Sequence, residues 1–373
     1  MIAAAILACA INAIPAESPA VKVAVLNLRN YGWEPPHRHE AAPSIAVDHE
    51  GRVIVGFTVQ GRSGLVTRSQ PSLDFHIVRF LPEGKADLSL SLPTNEAGRT
   101  GIYLSDNDQI IARANDSLQL LQENERNQKE RDWKILAPCA ESCHVEQSPS
   151  RHTLLLYTEG SDPPLTFIRL SQQPQLKVCG KSNSLIKSAE DKIQNYPQSI
   201  TDEFAYFHGW EPGAGAYAYR WPLCNYDERV EMPLRLSGRW TVLNDNIFVA
   251  NAYSNPTANE GMEVISPDGR VKFRLTLLTH ESADSLWVPV RSSERADRIA
   301  VDVFTMRGRN QTLDISGHLT ARRIAVYDIE AGKEIASIPV NTKHRFGFKF
   351  DLSPDGHRLA ILEDDIARVV EVQ

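Results

Sequence analysis

The C-terminal stretch 348–372 shows the clearest alternation of apolar and polar positions in the chain. A first alternating segment spans 348–352 and runs into the sequence SPDG at 353–356. A second segment carries Leu359 and Ile361, and a third follows the break at 364–365. Period-two alternation broken by turn residues is typical of β-strands. The stretch therefore predicts three strands of one antiparallel sheet.

Weaker copies of this pattern recur back to residue 43. Each copy predicts four short strands, and the copies are spaced by roughly 40–60 residues, which is typical of β-propeller blades. A second SPDG sequence lies at 266–269, in the fifth copy. The first strands of the six upstream copies are predicted at 43–47, 100–104, 144–146, 198–201, 240–243 and 287–290.

The alternating segment 21–28 lies outside these copies, and the C-terminal copy lacks a fourth strand. Placing 21–28 as the outer strand of the last blade closes the ring and covers a sheet edge. We therefore predict an all-β fold: a seven-bladed β-propeller with four-stranded blades, the last blade closed by the N-terminal strand. Two stacked sandwich domains would leave 21–28 without a role.

On the SPDG turns at 353–356 and 266–269, the chain resembles seven-bladed bacterial exported propellers of the WD-repeat and YVTN-like type, over residues 21–373. The Gly-His and Trp-Asp pairs of true WD repeats do not recur, and 317–318 and 327–328 are isolated look-alikes. The resemblance implies the fold and leaves the function open, because propellers serve as enzymes, scaffolds and receptors.

The N-terminal residues 2–16 form an apolar stretch, followed by small and polar residues. This is typical of a secretory signal, although no Lys or Arg precedes the apolar run. We expect an export segment over 1–20, a single propeller domain over 21–373, and a secreted or periplasmic protein. A buried first strand or helix is the alternative. No later apolar run is long enough to predict a membrane span.

The formal net charge is −7. Nucleic-acid surfaces need a concentrated basic patch, so we expect no nucleic-acid partner, and we expect a monomer.

Four of the five cysteines follow the export segment: Cys139, Cys143, Cys179 and Cys224. They allow two disulfides in three connectivities, or free buried thiols. The sequence CAESCH at 139–144 is one residue longer than a haem-attachment motif, so a local Cys139–Cys143 disulfide is favoured over haem.

Four long connections share one face of the predicted propeller: 29–42, 60–74, 253–261 and 306–320. We call this the long-loop face. Long loops on a rigid scaffold are where binding residues concentrate. The candidate binding residues on or beside it are His37, His39, Glu40, His208, Trp210, Glu211, His280, Glu281, His318 and His344.

These candidates fit two functions. The first is a non-enzymatic module that binds a protein, a small molecule or a glycan, with aromatic residues near Trp210 as contact surface. The second is a metal-assisted hydrolase or lactonase-like enzyme, with imidazoles and carboxylates holding a divalent metal at the channel mouth. The ligand spacing matches no metal motif, and no nucleophile elbow, phosphate loop or HExxH sequence is present. We therefore expect the binding module, with no cofactor.

Overall fold

The computed structural model describes residues 22–34, 43–60, 73–94, 100–123, 131–140, 143–158, 165–170, 175–178, 197–211, 215–223, 230–236, 240–252, 261–278, 281–283, 290–306, 319–342 and 348–373. Their strands form seven antiparallel sheets, each from consecutive strands except the one that combines the two ends of the chain. The predicted seven-bladed β-propeller is confirmed.

The N-terminal strand β1, Lys22–Asn27, belongs to blade 7, and a 3₁₀ helix, Leu28–Tyr31, follows it. The strands of blades 1 to 3 are β2 Ser44–Val47, β3 Val53–Gln60, β4 Leu73–Phe80, β5 Ala86–Thr94, β6 Gly101–Leu104, β7 Ile110–Ala114, β8 Ser117–Glu123, β9 Arg131–Pro138, β10 Cys143–Gln147, β11 Thr153–Thr158, β12 Leu165–Arg169 and β13 Gln175–Val178.

Blades 4 to 7 repeat the arrangement, with a second 3₁₀ helix at Asn244–Asn246. Their strands are β14 Ser199–Ile200, β15 Phe204–Glu211, β16 Gly215–Pro222, β17 Val230–Arg235, β18 Trp240–Val242, β19 Phe248–Ala252, β20 Gly261–Ile265, β21 Val271–Arg274, β22 Glu281–Ala283, β23 Arg291–Ser292, β24 Arg298–Met306, β25 Leu319–Asp328, β26 Lys333–Pro339, β27 Phe348–Leu352, β28 Arg358–Glu363 and β29 Ile366–Glu371.

The N-terminal strand closes the ring as predicted. β1 pairs antiparallel with β29, with Leu26 opposite Ala367, and the backbone N–H of Leu28 donates to the carbonyl of Asp365 at 2.8 Å. Leu26 and Leu28 are buried between blades 7 and 1. The strand therefore covers the outer edge of β29 and adds apolar packing.

The core is divided among the junctions between blades. Each of the seven buried apolar clusters combines side chains of two neighbouring blades, and together the clusters run once around the ring. Alternation along the strands produces this division, because successive side chains point to opposite faces of a sheet. In β27, for example, Phe348, Phe350 and Leu352 are buried, and Lys349 and Asp351 between them are partly accessible.

The inner strand of blade 6 differs from the prediction at 287–290. β24 pairs with two short strands. β22 lies opposite residues 303–305 of β24, and β23 lies opposite residues 299–300. Val290 is buried just before β23, and residues 284–289 lie outside the described ranges. The strand starts at polar Arg291, which an apolar alternation does not reveal.

Candidate binding site at the central channel

In every blade the first and second strands are joined by a short turn next to the channel. We call these the inner turns: 48–51, 105–108, 148–151, 201–203, 243–246, 293–296 and 353–356. Each is closed by a backbone hydrogen bond, such as Asp48 N to Arg52 O at 3.0 Å and Ser353 N to Arg358 O at 2.8 Å. Their fourth residue adopts positive φ in six blades, at Gly51, Asp108, Arg151, Asn246, Ala296 and Gly356.

Polar contacts join the inner turns of neighbouring blades. His49 N donates to Asp108 Oδ1 at 3.1 Å, and His152 Nδ1 lies 3.1 Å from Asp202 Oδ2. The remaining contacts, by residue, are Asp106 with His152, Tyr206 with Asn246, Asn244 with Glu294, Glu294 with Pro354 and Arg358 with Glu50. All seven junctions are therefore bridged, which fixes the turns as a rigid polar rim.

His49 makes the widest of these bridges. Its Nδ1 lies 2.8 Å from Asp108 Oδ1 and its Nε2 lies 3.2 Å from Glu294 Oε1. Burial alone would lower the pKa of His49, but the hydrogen bonds to the two carboxylates outweigh it and raise the pKa. Both nitrogens donate at once only in the imidazolium form, which the two carboxylates therefore favour over the neutral ring.

One residue of each blade occupies the same level below this rim, two positions before the inner turn. Propeller blades surround a central channel, and their inner strands lie closest to it. Six of these seven residues are polar, which is unusual for the innermost strands of a packed fold. They are Ala46, Tyr103, Glu146, Ser199, Thr241, Arg291 and Asp351.

Asp351 connects distant blades at this level. Its Oδ2 accepts from Val47 N at 2.9 Å and lies 3.5 Å from Arg151 Nη2 of blade 3. Its Oδ1 lies 3.7 Å from Arg291 Nε of blade 6. One carboxylate thus faces two guanidinium groups from separate blades, and Lys349 lies one period earlier on the same face of β27.

Glu146 and Lys349 both titrate away from their ordinary ranges. Glu146 is accessible to water but enclosed by protein around the channel, and burial raises its pKa to about 7, only partly offset by Arg291. Burial, and then the charge of Arg291, lower the pKa of Lys349. Burial raises the pKa of Tyr103 to about 12. The channel at this level therefore disfavours both added negative charge on Glu146 and the positive charge of Lys349.

A separate cleft of about 380 Å³ opens on the face of the inner turns, between blades 7 and 1. His49, Asp355, His357 and Arg358 line it together with 371–373. Asp355 is engaged there by Ser353 Oγ at 2.5 Å and by the backbone N–H of His357 at 2.9 Å. The cleft walls are thus built from groups that already bond to one another.

Two of the predicted site residues have described side chains. His208 is half-buried on β15, with its ring centroid 6.4 Å from that of Trp240. Glu281 is buried, and its two oxygens accept from Arg323 at 2.8 and 3.0 Å. Burial would raise the pKa of Glu281, but the bonds from Arg323 and from Leu278 N outweigh it and lower the pKa. Glu281 therefore holds blade 6 together.

The other predicted site residues remain predictions. Trp210 and Glu211 belong to β15. The remaining candidates lie outside the described residues: His37, His39, Glu40, His280, His318 and His344. Within the described ranges, no group of three or more His, Cys, Asp or Glu side chains is placed to hold a metal ion.

The predicted disulfide between Cys139 and Cys143 is confirmed, with Cα atoms 5.2 Å apart. Both residues are buried between blades 2 and 3. Because their sulfurs bond to each other, neither is available for covalent attachment to haem. Cys179 and Cys224 lie outside the described residues.

Sequence reasoning missed the channel residues Arg151, Arg291, Lys349, Glu146 and Asp351. The usable signal was their register: four of them lie two or four positions before an inner turn, and Lys349 and Asp351 stand between apolar residues. Among the described helices, none is long and apolar enough to span a membrane.

Comparison with protein-family models and with curated protein sequences finds no match. One similar solved structure is described as the crystal structure of the mitotic checkpoint complex. The alignment covers 99% of this chain and 99% of that chain, with 11% sequence identity and a TM-score of 0.47. A similarity of this strength supports no functional assignment.

Proposed function

We propose that this chain is an exported, non-enzymatic propeller that binds a protein, glycan or small-molecule partner through its long-loop face. The carrying observation is the difference between its two faces. Between the described strands, the longest connections on the inner-turn face are 124–130 and 223–229. Those on the long-loop face include 28–43, 61–72, 179–198, 253–260 and 307–318. Long loops on a rigid frame are suited to recognition.

The inner-turn rim supports the proposal from the opposite side. Its inter-blade contacts tie the ends of the inner strands to one another, so the strands that carry the long connections are held in one frame. A preorganised scaffold reduces the ordering cost that association must overcome. The rim's own polar groups are largely paired with one another, which leaves them fewer bonds to offer to a partner.

Export is supported by two observations. The apolar stretch 2–16 has the composition of a secretory signal. The disulfide Cys139–Cys143 is of a kind that persists in oxidising compartments.

Site-specific photo-crosslinking in the native host tests the proposal. A photoreactive residue replaces Asp116 or Thr320, which are exposed at strand ends on the long-loop face. The matched controls replace Glu83 and Asp268, which are exposed on the inner-turn face. We expect one discrete adduct from the first pair and none from the controls. Equal crosslinking from both faces, or none from either, contradicts the proposal.

Metal analysis tests the competing enzyme. The protein is purified without chelator and without metal-affinity resin, and its divalent metal content is measured. One bound equivalent, lost in the variant with His37→Ala and His39→Ala or that with His280→Ala and His318→Ala, would replace the binding module with the metal-assisted hydrolase.

A further inference from the structure

Two arginines at the channel carry donors that the protein itself does not satisfy. Arg151 Nη1 and Arg291 Nε are buried atoms without a hydrogen-bond acceptor among the described residues. Arg151 as a residue is only 9% exposed. A guanidinium group has five N–H donors, and a charged donor that is left unpaired on burial destabilises the folded protein.

Arg151 also occupies a position where its backbone favours another residue. Its φ is +64°, and the equivalent position in blades 1 and 7 is glycine, Gly51 and Gly356. A residue with a side chain is strained in this left-handed region, and glycine avoids the strain. The turn alone therefore gives no reason for an arginine, whereas a contact made by its side chain in the channel does.

The charges around these two arginines leave positive charge in excess. The two guanidinium groups share one carboxylate, that of Asp351, whose oxygens lie 3.5 Å from Arg151 Nη2 and 3.7 Å from Arg291 Nε. Glu146 does not restore the balance, because burial raises its pKa to about 7. Burial and the charge of Arg291 both lower the pKa of Lys349, because each disfavours its ammonium form. One bound anion would balance the charge that the two guanidinium groups leave uncompensated.

We propose that a small oxyanion binds in the central channel between Arg151 and Arg291. Phosphate, sulfate and carboxylate groups share the required chemistry, because each offers two or more acceptor oxygens to the planar donor edge of a guanidinium group. Arg151 Nη1 belongs to blade 3, and the guanidinium group of Arg291, whose side chain is 43% exposed and whose Nε faces Asp351 Oδ1, belongs to blade 6, so the anion would also link opposite sides of the ring. This site is separate from the long-loop face, and the function proposed for that face does not depend on it.

Isothermal titration tests the site on the full chain in a chloride buffer free of phosphate and sulfate. Inorganic phosphate, sulfate and acetate are the probes, with sodium chloride at matched ionic strength as the control. We expect saturable binding of at least one oxyanion near one equivalent and none from chloride. Preference for phosphate and sulfate identifies a tetrahedral anion, and preference for acetate identifies a carboxylate.

Arg151→Gly is the decisive variant because it restores the glycine that two other inner turns use. We expect it to weaken anion binding about tenfold or more while its unfolding midpoint in chloride buffer stays within a few degrees of the parent. Arg270→Ala is the control, since Arg270 is exposed on the turn 266–270 and far from the channel; it should bind as the parent does. Arg291→Gln provides a second variant with the same expected loss if Arg151→Gly unfolds.

Three results overturn the proposal. The first is absence of saturable binding by any of the three oxyanions. The second is parent-like affinity in both Arg151→Gly and Arg291→Gln. The third is an equal loss in Arg270→Ala, which would show that the anion screens surface charge generally.

Discussion

The imidazole Nδ1 of His49 lies 2.8 Å from Asp108 Oδ1, which fastens the inner turn of blade 1 to that of blade 2. The opposite ring nitrogen faces Glu294 of blade 6 at 3.2 Å. A single side chain therefore holds three blades at the channel mouth, and it does so fully only as an imidazolium, when both nitrogens carry protons.

This arrangement predicts a pH-dependent contribution to stability. The pKa of His49 is raised in the folded protein, so the contribution is complete below the ordinary histidine pKa of about 6.5 and is lost as the pH rises through the folded pKa. We expect His49→Gln to lower the free energy of unfolding by up to about 1 kcal/mol at pH 6, since the side chain is partly exposed. Urea denaturation at pH 6 and pH 8.5 measures it. An equal loss at both values would show that the bridge is uncharged.

The closing strand permits a comparison between adjacent residues. Leu26 is 2% exposed and packs between blades 7 and 1, and its neighbour Val25 is 47% exposed on the other face of β1. Leu26→Ala should lower the free energy of unfolding by about 2–5 kcal/mol, as buried leucines do. Val25→Ala should change it by about 0.5 kcal/mol or less. Guanidinium denaturation compares the two, and similar small effects would show that β1 does not hold the ring closed.

The strand pattern was predictable because period-two alternation and SPDG-type turns are local signals. The N-terminal closure could be predicted by counting strands, because the last blade lacked a fourth strand and the segment 21–28 belonged to no other blade. Blade 6 was less predictable because Arg291 and Ser292 of β23 are polar. The channel site could not be predicted, because Arg151, Arg291 and Asp351 meet only once three separate blades share one register.

The ion pair of Glu281 with Arg323 determines how Glu281 should be interpreted. Arg323 donates to both oxygens of Glu281 and to Glu334 Oε1 at 2.6 Å, and its side chain is 15% exposed. Removing one partner of a buried pair costs about 3–5 kcal/mol, because the other charge is left unpaired. We expect Arg323→Met to destabilise the protein by that amount in chemical denaturation.

Arg274 is the matched control for Arg323. It pairs with Glu263 at 2.6 Å, but its side chain is 70% exposed. Arg274→Met should therefore cost less than about 1 kcal/mol. If both substitutions cost the same small amount, the Glu281 pair is not structural and Glu281 returns to the set of candidate binding residues.

The disulfide Cys139–Cys143 closes a short loop between blades 2 and 3. Closing a loop of this length raises the free energy of the unfolded chain by about 2 kcal/mol. Replacing both cysteines with serine should lower the free energy of unfolding by about that amount, measured under non-reducing conditions. Adding reductant to the parent should reproduce the loss, and reductant should lower the stability of the double variant less than that of the parent. If neither the double substitution nor the reductant lowers the free energy of unfolding, the prediction is contradicted.

Glu146 should make the protein less stable in mild alkali. Its folded pKa of about 7 lies above the ordinary glutamate value, so its favourable contribution is present at low pH and is lost as the pH rises through about 7. Glutamine mimics the protonated form, so Glu146→Gln should match the parent at pH 5 and exceed it at pH 8.5. Glu146 is accessible to solvent, which screens its charge, and we expect a gain of about 1 kcal/mol. Glu330→Gln, at an exposed glutamate in the connection 329–332, should give no such pH-dependent difference. If Glu146→Gln is no more stable than the parent at pH 8.5, the arginines accommodate the ionised carboxylate and its charge does not destabilise the protein.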